Sequence, residues 1–173
     1  MGLPNECPTP PPLDFQPLAQ CKWAEFSDVA PEFIRDVRRR GRRALGVRYE
    51  KKCQEWLTSQ FGDDYMPSQW LRYRGADGRI RWCQTDGVLR IKEQHALVVV
   101  EIKYNHTDLA WWQLFRLYIP VLERVFDGHG YEFRGVEVCK WFDPAVRCPQ
   151  PARIRDTITG TAAGDFSVHI WSP

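Results

Sequence analysis

The chain has 173 residues, 43% of them apolar, with 24 lysines and arginines against 22 acidic residues and a formal net charge of +2. That length and apolar content suit one domain with a sizeable core, which excludes a disordered chain and a small disulfide scaffold. The longest apolar run, Ala96 to Val100, is too short to cross a bilayer, and the six cysteines form no C-x-x-C pair. With no basic-then-apolar leader at the N-terminus either, the expectation is a cytoplasmic protein with reduced thiols, no membrane partner and no zinc ribbon.

Residues 1–20 carry six prolines and read as an irregular arm. Ser27 is expected to cap a short helix reaching about Arg40, which Gly41 interrupts. From Arg42 to about Phe61 the apolar residues recur at helical spacing, and Gly62-Asp63-Asp64 supplies a stop. Measured from Leu45, the positions Trp56, Tyr49, Cys53, Leu57 and Phe61 fall between about 0° and 160° of the helical wheel, a single stripe to bury. Met66–Arg74 and Ile80–Ile91, joined by Gly75-Ala76-Asp77-Gly78, read as a hairpin. A second polar turn, Lys92 to His95, leads into Ala96–Tyr104, whose Leu-Val-Val-Val centre predicts a strand covered on both faces. Thr107 should cap a helix running to about Phe126, kinked at Pro120. Tyr131–Phe142 and Ser167–Trp171 complete the pattern as strands, the last at an edge. The expected fold class is α/β, or mixed α+β, with a mixed central sheet, a domain over 21–142 and an extension over 143–173.

The charges are not spread evenly. Residues 35–52 hold nine basic and two acidic side chains, a local +7, which leaves the rest of the chain at −5. Arg38, Arg39, Arg42, Arg43, Arg48, Lys51 and Lys52 therefore form a candidate surface for a polyanion. Their arginine bias favours phosphate, whose oxygens the guanidinium fork matches. The tryptophans read mostly as core and rim, with Trp111 or Trp112 as stacking platforms for an unpaired base. His106, just beyond the Ala96–Tyr104 strand, is a candidate substrate contact, while His129 and His169 read as structural.

Chemistry concentrates on the second hairpin. With the turn centred between Glu93 and Gln94, Ile91 faces Ala96 and Asp86 faces Glu101, placing two carboxylates as cross-strand neighbours with Cβ atoms roughly 4.5–5.5 Å apart. Lys103 follows on the same face, two residues after Glu101. Glu50 falls inside the apolar stripe of the preceding helix, where a carboxylate is costly without a partner. A hard divalent cation, Mg²⁺ or Mn²⁺, would resolve both anomalies, and a lysine beside it could hold an attacking water.

At these residues the chain resembles the PD-(D/E)XK nuclease superfamily. Gln84-Thr85-Asp86-Gly87 stands where the motif II aspartate stands, Val100-Glu101-Ile102-Lys103 looks like the E-x-K strand, and Tyr49-Glu50 is similar to the motif I glutamate of small phage and bacterial members. The resemblance implies a restriction-endonuclease-like α-β-β-β-α-β core and Mg²⁺-dependent cleavage of DNA. Asp86, Glu101 and the Ile102 carbonyl would be metal ligands, Glu50 a direct or water-mediated one, and Lys103 would position the nucleophile. RecB-like members also carry a Gln and a Tyr four residues apart on the next helix. Gln113 and Tyr118 are five apart, so a regular helix would aim only one of them at the site, and Gln113 is the candidate. A competing reading keeps the fold but makes it a structural or DNA-binding component, for example of a phage particle. In that reading the arm or the 143–173 extension docks a protein partner, and either reading admits a homo-oligomer.

Overall fold

The computed structural model describes residues 21–32, 41–146, 153–155 and 166–173. The arm, Arg38, Arg39 and most of the 143–173 extension lie outside the described residues. The elements run in the order β1 (Trp23–Ser27), α1 (Arg42–Phe61), β2 (Tyr65–Pro67), β3 (Trp70–Arg74), β4 (Ile80–Gln84), β5 (Gly87–Ile91) and β6 (Ala96–Asn105). Then come α2 (Asp108–Gln113), α3 (Ile119–Val125), β7 (Glu132–Trp141), β8 (Arg153–Arg155) and β9 (Phe166–Ile170). They build a mixed α/β fold with two sheets, a small one ordered β1-β3-β4 and a six-stranded one ordered β2-β5-β6-β7-β9-β8. Among the described residues no helix is long and apolar enough to cross a membrane.

The large sheet is mixed, as expected. β2, β5 and β6 pair antiparallel, whereas β6, β7, β9 and β8 pair parallel. Its alternation assigns two cores. Val98, Val100 and Ile102 of β6 face α1 together with Tyr49, Cys53 and Leu57, while Leu97 and Val99 face the α2–α3 side with Leu114 and Leu122. The inner face of the small sheet, Leu71, Tyr73 and Cys83, closes over that second core. Cys21, Cys53, Cys83 and Cys139 are free and buried, in keeping with reduced thiols.

The predicted first hairpin is present, but as one ribbon shared by two sheets. Pairing keeps a single register from Arg74↔Ile80 to Trp70↔Gln84, and again from Pro67↔Gly87 to Tyr65↔Leu89. Between those stretches both strands bend at the same level, with Ser68 at φ 50° and bonds from Thr85 N to Gln69 O and from Ser68 N to Asp86 O bridging the corner. A ribbon that serves two sheets must break its ladder somewhere, and Asp86 sits at that break.

Other expectations need correcting. Ser27 does not cap a helix: it ends β1, its hydroxyl donates to Val29 O, and residues 28–32 are irregular. Leu45, the origin of the supposed buried stripe, is 40% exposed, because burial centres on Tyr49, Cys53 and Leu57. Ser167–Trp171 is not an edge strand, since β8 pairs along the outer side of β9. Trp111 and Trp112 are buried at 5% exposure each, so neither is a stacking platform. The long helix is divided, and Pro120 is not where it first departs from α geometry. Leu114–Tyr118 forms a π-helical turn, and Pro120 opens the next α segment, where a missing N–H does least harm.

Gly87, the first residue past the bend, lies against the Tyr65 ring; a Cβ there would fall 2.3 Å from the Tyr65 hydroxyl oxygen. Gly87→Ala is expected to lower stability by about 1–3 kcal/mol through overpacking, read as a lower urea midpoint at unchanged slope.

Candidate functional site

The site is built where β6 outruns β5. β5 covers β6 only as far as Gly87↔Val100, whereas β7 continues alongside to Asn105↔Trp141. Glu101, Ile102 and Lys103 thus lie at an opened edge of the sheet, facing the bend that carries Asp86. In the expected register Asp86 stands across from Glu101. Its carboxylate Oδ2 accepts from Ile102 N at 2.6 Å, supplying the partner that β5 no longer provides. Its main-chain carbonyl accepts from Ser68 N at 3.1 Å, Gln54 Nε2 at 2.9 Å and the Tyr65 hydroxyl at 3.2 Å. Both ends of the residue are held.

Glu101 is 1% exposed. One of its oxygens accepts from the Lys103 ammonium, and the other, Oε2, has no hydrogen-bond partner among the described residues. Burial, reinforced by the Asp86 charge, pushes its carboxyl up to about 8 against the opposing pull of Lys103. Burial raises Asp86 too, with the Ile102 N–H and Lys103 pulling it back. Burial alone would lower Lys103, but Glu101, Asp86 and Glu137 outweigh it and hold the ammonium charged. Ionising Glu101 as well as Asp86 would set two carboxylates against one lysine and leave the centre short of positive charge.

A second fully buried carboxylate lies in the same row, along with the half-buried Asp86. Glu137 of β7 pairs in register with Glu101 and is fully buried. Its needs are met: Oε2 bonds His106 Nδ1 at 2.7 Å and Oε1 accepts from Thr107 N at 3.1 Å. His106, read from the sequence as a substrate contact, is 6% exposed and stacked on Phe142, an inward-facing partner of Glu137. Burial pulls its imidazole down, yet Glu137 more than offsets this and raises it.

The π-helical turn resolves the Gln113 and Tyr118 spacing. A turn closed by i→i+5 bonds brings residues five apart onto one face, and Gln113 Nε2 donates to the Tyr118 hydroxyl at 3.2 Å. Burial and then the Glu101 and Asp86 charges hold Tyr118 well above the ordinary phenol range. The five-residue spacing that argues against a shared target on a regular helix is the spacing this turn requires.

Glu50 lines a neighbouring cleft of about 590 Å³ with Arg43, Gly46, Val47, Ile102, Lys103 and Tyr104. Lys103 belongs to both places, with its side chain 27% exposed. Arg43, Arg48, Lys51 and Lys52 are exposed on α1, Lys51 within 3.8 Å of Glu55. Among the described residues no three His, Cys, Asp or Glu side chains form an enclosing metal group. A cation between Asp86 and Glu101 would therefore complete its shell with carbonyl oxygen and water, as Mg²⁺ commonly does. The unpartnered, buried Glu101 oxygen fits such an ion. No family model matches the chain, and no curated protein matches it.

Sequence reasoning missed Gln54, Tyr118 and Glu137. Gln54 lies next to Phe61 and Glu50 on the helical wheel and could have been found there. Glu137 could not, because the offset of a parallel strand reached through a helix is not written locally.

A carboxyl with a raised native pKa destabilises the fold as it ionises. Between about 4.5 and about 8 the native state keeps a proton on Glu101 that the unfolded chain has released, so stability falls as pH rises through that window. In chelator, Glu101→Gln is expected to flatten this dependence, stabilising the protein at about pH 8 by up to a few kcal/mol and leaving it nearly unchanged near pH 4. Thermal unfolding across that range checks it.

Proposed function

We propose that this protein is a metal-dependent nuclease of the PD-(D/E)XK type that hydrolyses phosphodiester bonds in DNA. The observation that carries the reading is the Glu101 carboxylate, buried with one unpartnered oxygen, facing Asp86 at an opened sheet edge beside a charged lysine. The order α1, the bent ribbon β2–β5, β6, the α2–α3 helix and β7 agrees with the α-β-β-β-α-β core that the resemblance implies. Asp86 and Glu101 would hold Mg²⁺ or Mn²⁺ with the Ile102 carbonyl, and Glu50 would act from the adjoining cleft. Such an ion supplies a more acidic bound water and screens the phosphate.

The remaining roles follow from the chain's own charges. Glu101 fixes the Lys103 ammonium through their ion pair, so Lys103 meets the cleft with a set orientation and can hold a water or a phosphate oxygen. Arg43 adds positive charge on the same cleft, where a phosphate would otherwise face Glu50. Arg48, Lys51 and Lys52 face solvent on α1 and suit contacts to the flanking backbone. Gln113 and Tyr118 form a mutually bonded pair, and Tyr118 feels the Glu101 and Asp86 charges.

Purified protein is expected to cut labelled DNA only with Mg²⁺ or Mn²⁺, with Lys103→Ala and Glu101→Gln slower by about 10²-fold or more. Mn²⁺ should raise the melting temperature of the parent and not of Glu101→Gln. Combined Arg43→Ala, Lys51→Ala and Lys52→Ala substitution should weaken DNA binding and flatten its salt dependence. Binding without metal-dependent cutting would point instead to a non-catalytic DNA-binding component.

A further inference from the structure

The small sheet covers the second core with one face and turns a different chemistry outward. Phe26, Leu71, Tyr73 and Cys83 point inward, so strand alternation puts Trp23, Arg72 and Trp82 on the opposite face. The Arg72 guanidinium lies 5.3 Å from the Trp23 ring centroid and 5.7 Å from that of Trp82, between the two indoles. Glu25 holds it there, accepting from Arg72 Nε at 2.9 Å. Beside this stack opens a cleft of about 710 Å³, lined by Lys22, Trp23, Arg72, Arg74 and Ile80. Trp23 and Ile80 are 36% and 45% exposed.

A solvent-facing sheet surface ordinarily carries polar residues, so an exposed Trp23 and a half-buried Trp82 here need a reason. Among the described residues of this face, the cations Lys22, Arg72 and Arg74 stand against the carboxylate Glu25 and leave it positive. The ligand that presents both flat aromatic surfaces and regularly spaced negative charge is an unpaired polynucleotide. Its bases stack on indole and guanidinium planes while its phosphates meet the cations. A duplex hides its base faces and offers only the charge.

The chain links this face to the candidate site. β4 carries Trp82 and ends at Gln84, two residues before Asp86 at the bend, so Trp82 and Asp86 are separated by four residues, at most about 13 Å of chain. We propose that the outer face of β1, β3 and β4, centred on the Trp23–Arg72–Trp82 stack, binds single-stranded DNA and leads it to Asp86, Glu101 and Lys103. The destination rests on the nuclease reading; the binding does not.

The test uses the full chain in chelator, with a fluorescein-labelled oligothymidylate and a duplex of equal length, followed by fluorescence anisotropy. The single strand should bind about tenfold tighter than the duplex and quench tryptophan emission. Trp23→Ala and Trp82→Ala should each weaken single-strand binding roughly fivefold to a hundredfold, with duplex binding unchanged. Both side chains face outward, so the variants should melt near the parent, and Trp82→Phe, which keeps a stacking ring, should retain most of the affinity. Equal binding of the single strand by parent and Ala variants, or parallel losses on single strand and duplex, would overturn the proposal. Adding Mg²⁺ separates the two readings. The expected binding pattern without cutting removes the nuclease and leaves the platform, whereas cutting of single strands at the parent rate by both Ala variants removes the platform and leaves the nuclease.

Discussion

Asp86 ties the two sheets together and sets the candidate site at their junction. Its carbonyl takes donors from α1, β2 and the bend itself, and its carboxylate replaces the missing strand partner of Ile102. Had β5 continued past Gly87, the Ile102 N–H would be bonded in the ladder and Glu101 would lie sealed between strands. Because the ribbon bends there instead, the sheet opens over three residues, and Glu101, Ile102 and Lys103 become a site. The close fit of Gly87 beneath the Tyr65 ring belongs to the same corner.

The electrostatics of that corner run against stability. Of the carboxylates aligned across β5, β6 and β7, Glu137 is matched by His106 and Thr107, Asp86 is matched in part, and Glu101 is left with one bare oxygen. A fold selected only for stability would have no use for the arrangement, since replacing a buried ion pair by well-packed apolar side chains is often neutral or stabilising. Perturbed carboxylates in a partly open pocket are what a cation-binding or catalytic centre requires. The unresolved charge is therefore more informative about function than the satisfied pair beside it.

Much of this was legible from local pattern. The antiparallel register that sets Asp86 against Glu101 follows from the position of one four-residue turn, because period-two alternation carries the register along both strands. The buried stripe of α1 was recoverable for Tyr49, Cys53 and Leu57 but not at Leu45, where the helix end overhangs its support. Spacing arguments failed where they assumed regular geometry. Gln113 and Tyr118 meet because five residues of the helix wind as a π turn, and nothing in Leu-Phe-Arg-Leu-Tyr announces that choice. The tryptophans were misassigned for a related reason: Trp111 and Trp112 sit in an amphipathic helix whose face was known only once it docked, while Trp23 lies on a strand that propensity did not reveal.

By itself the sequence determined most of the strand and helix types, the register that sets Asp86 across from Glu101, and the segregation of positive charge onto residues 35–52, because each depends on neighbours in the chain. The tertiary structure decided where the ribbon bends, which carboxylate found a partner, and which aromatic face was left to solvent. Those outcomes depend on residues such as Gln54, Tyr65 and Glu137, brought together from distant segments by burial of the two cores, a driving force that acts on area and not on sequence position.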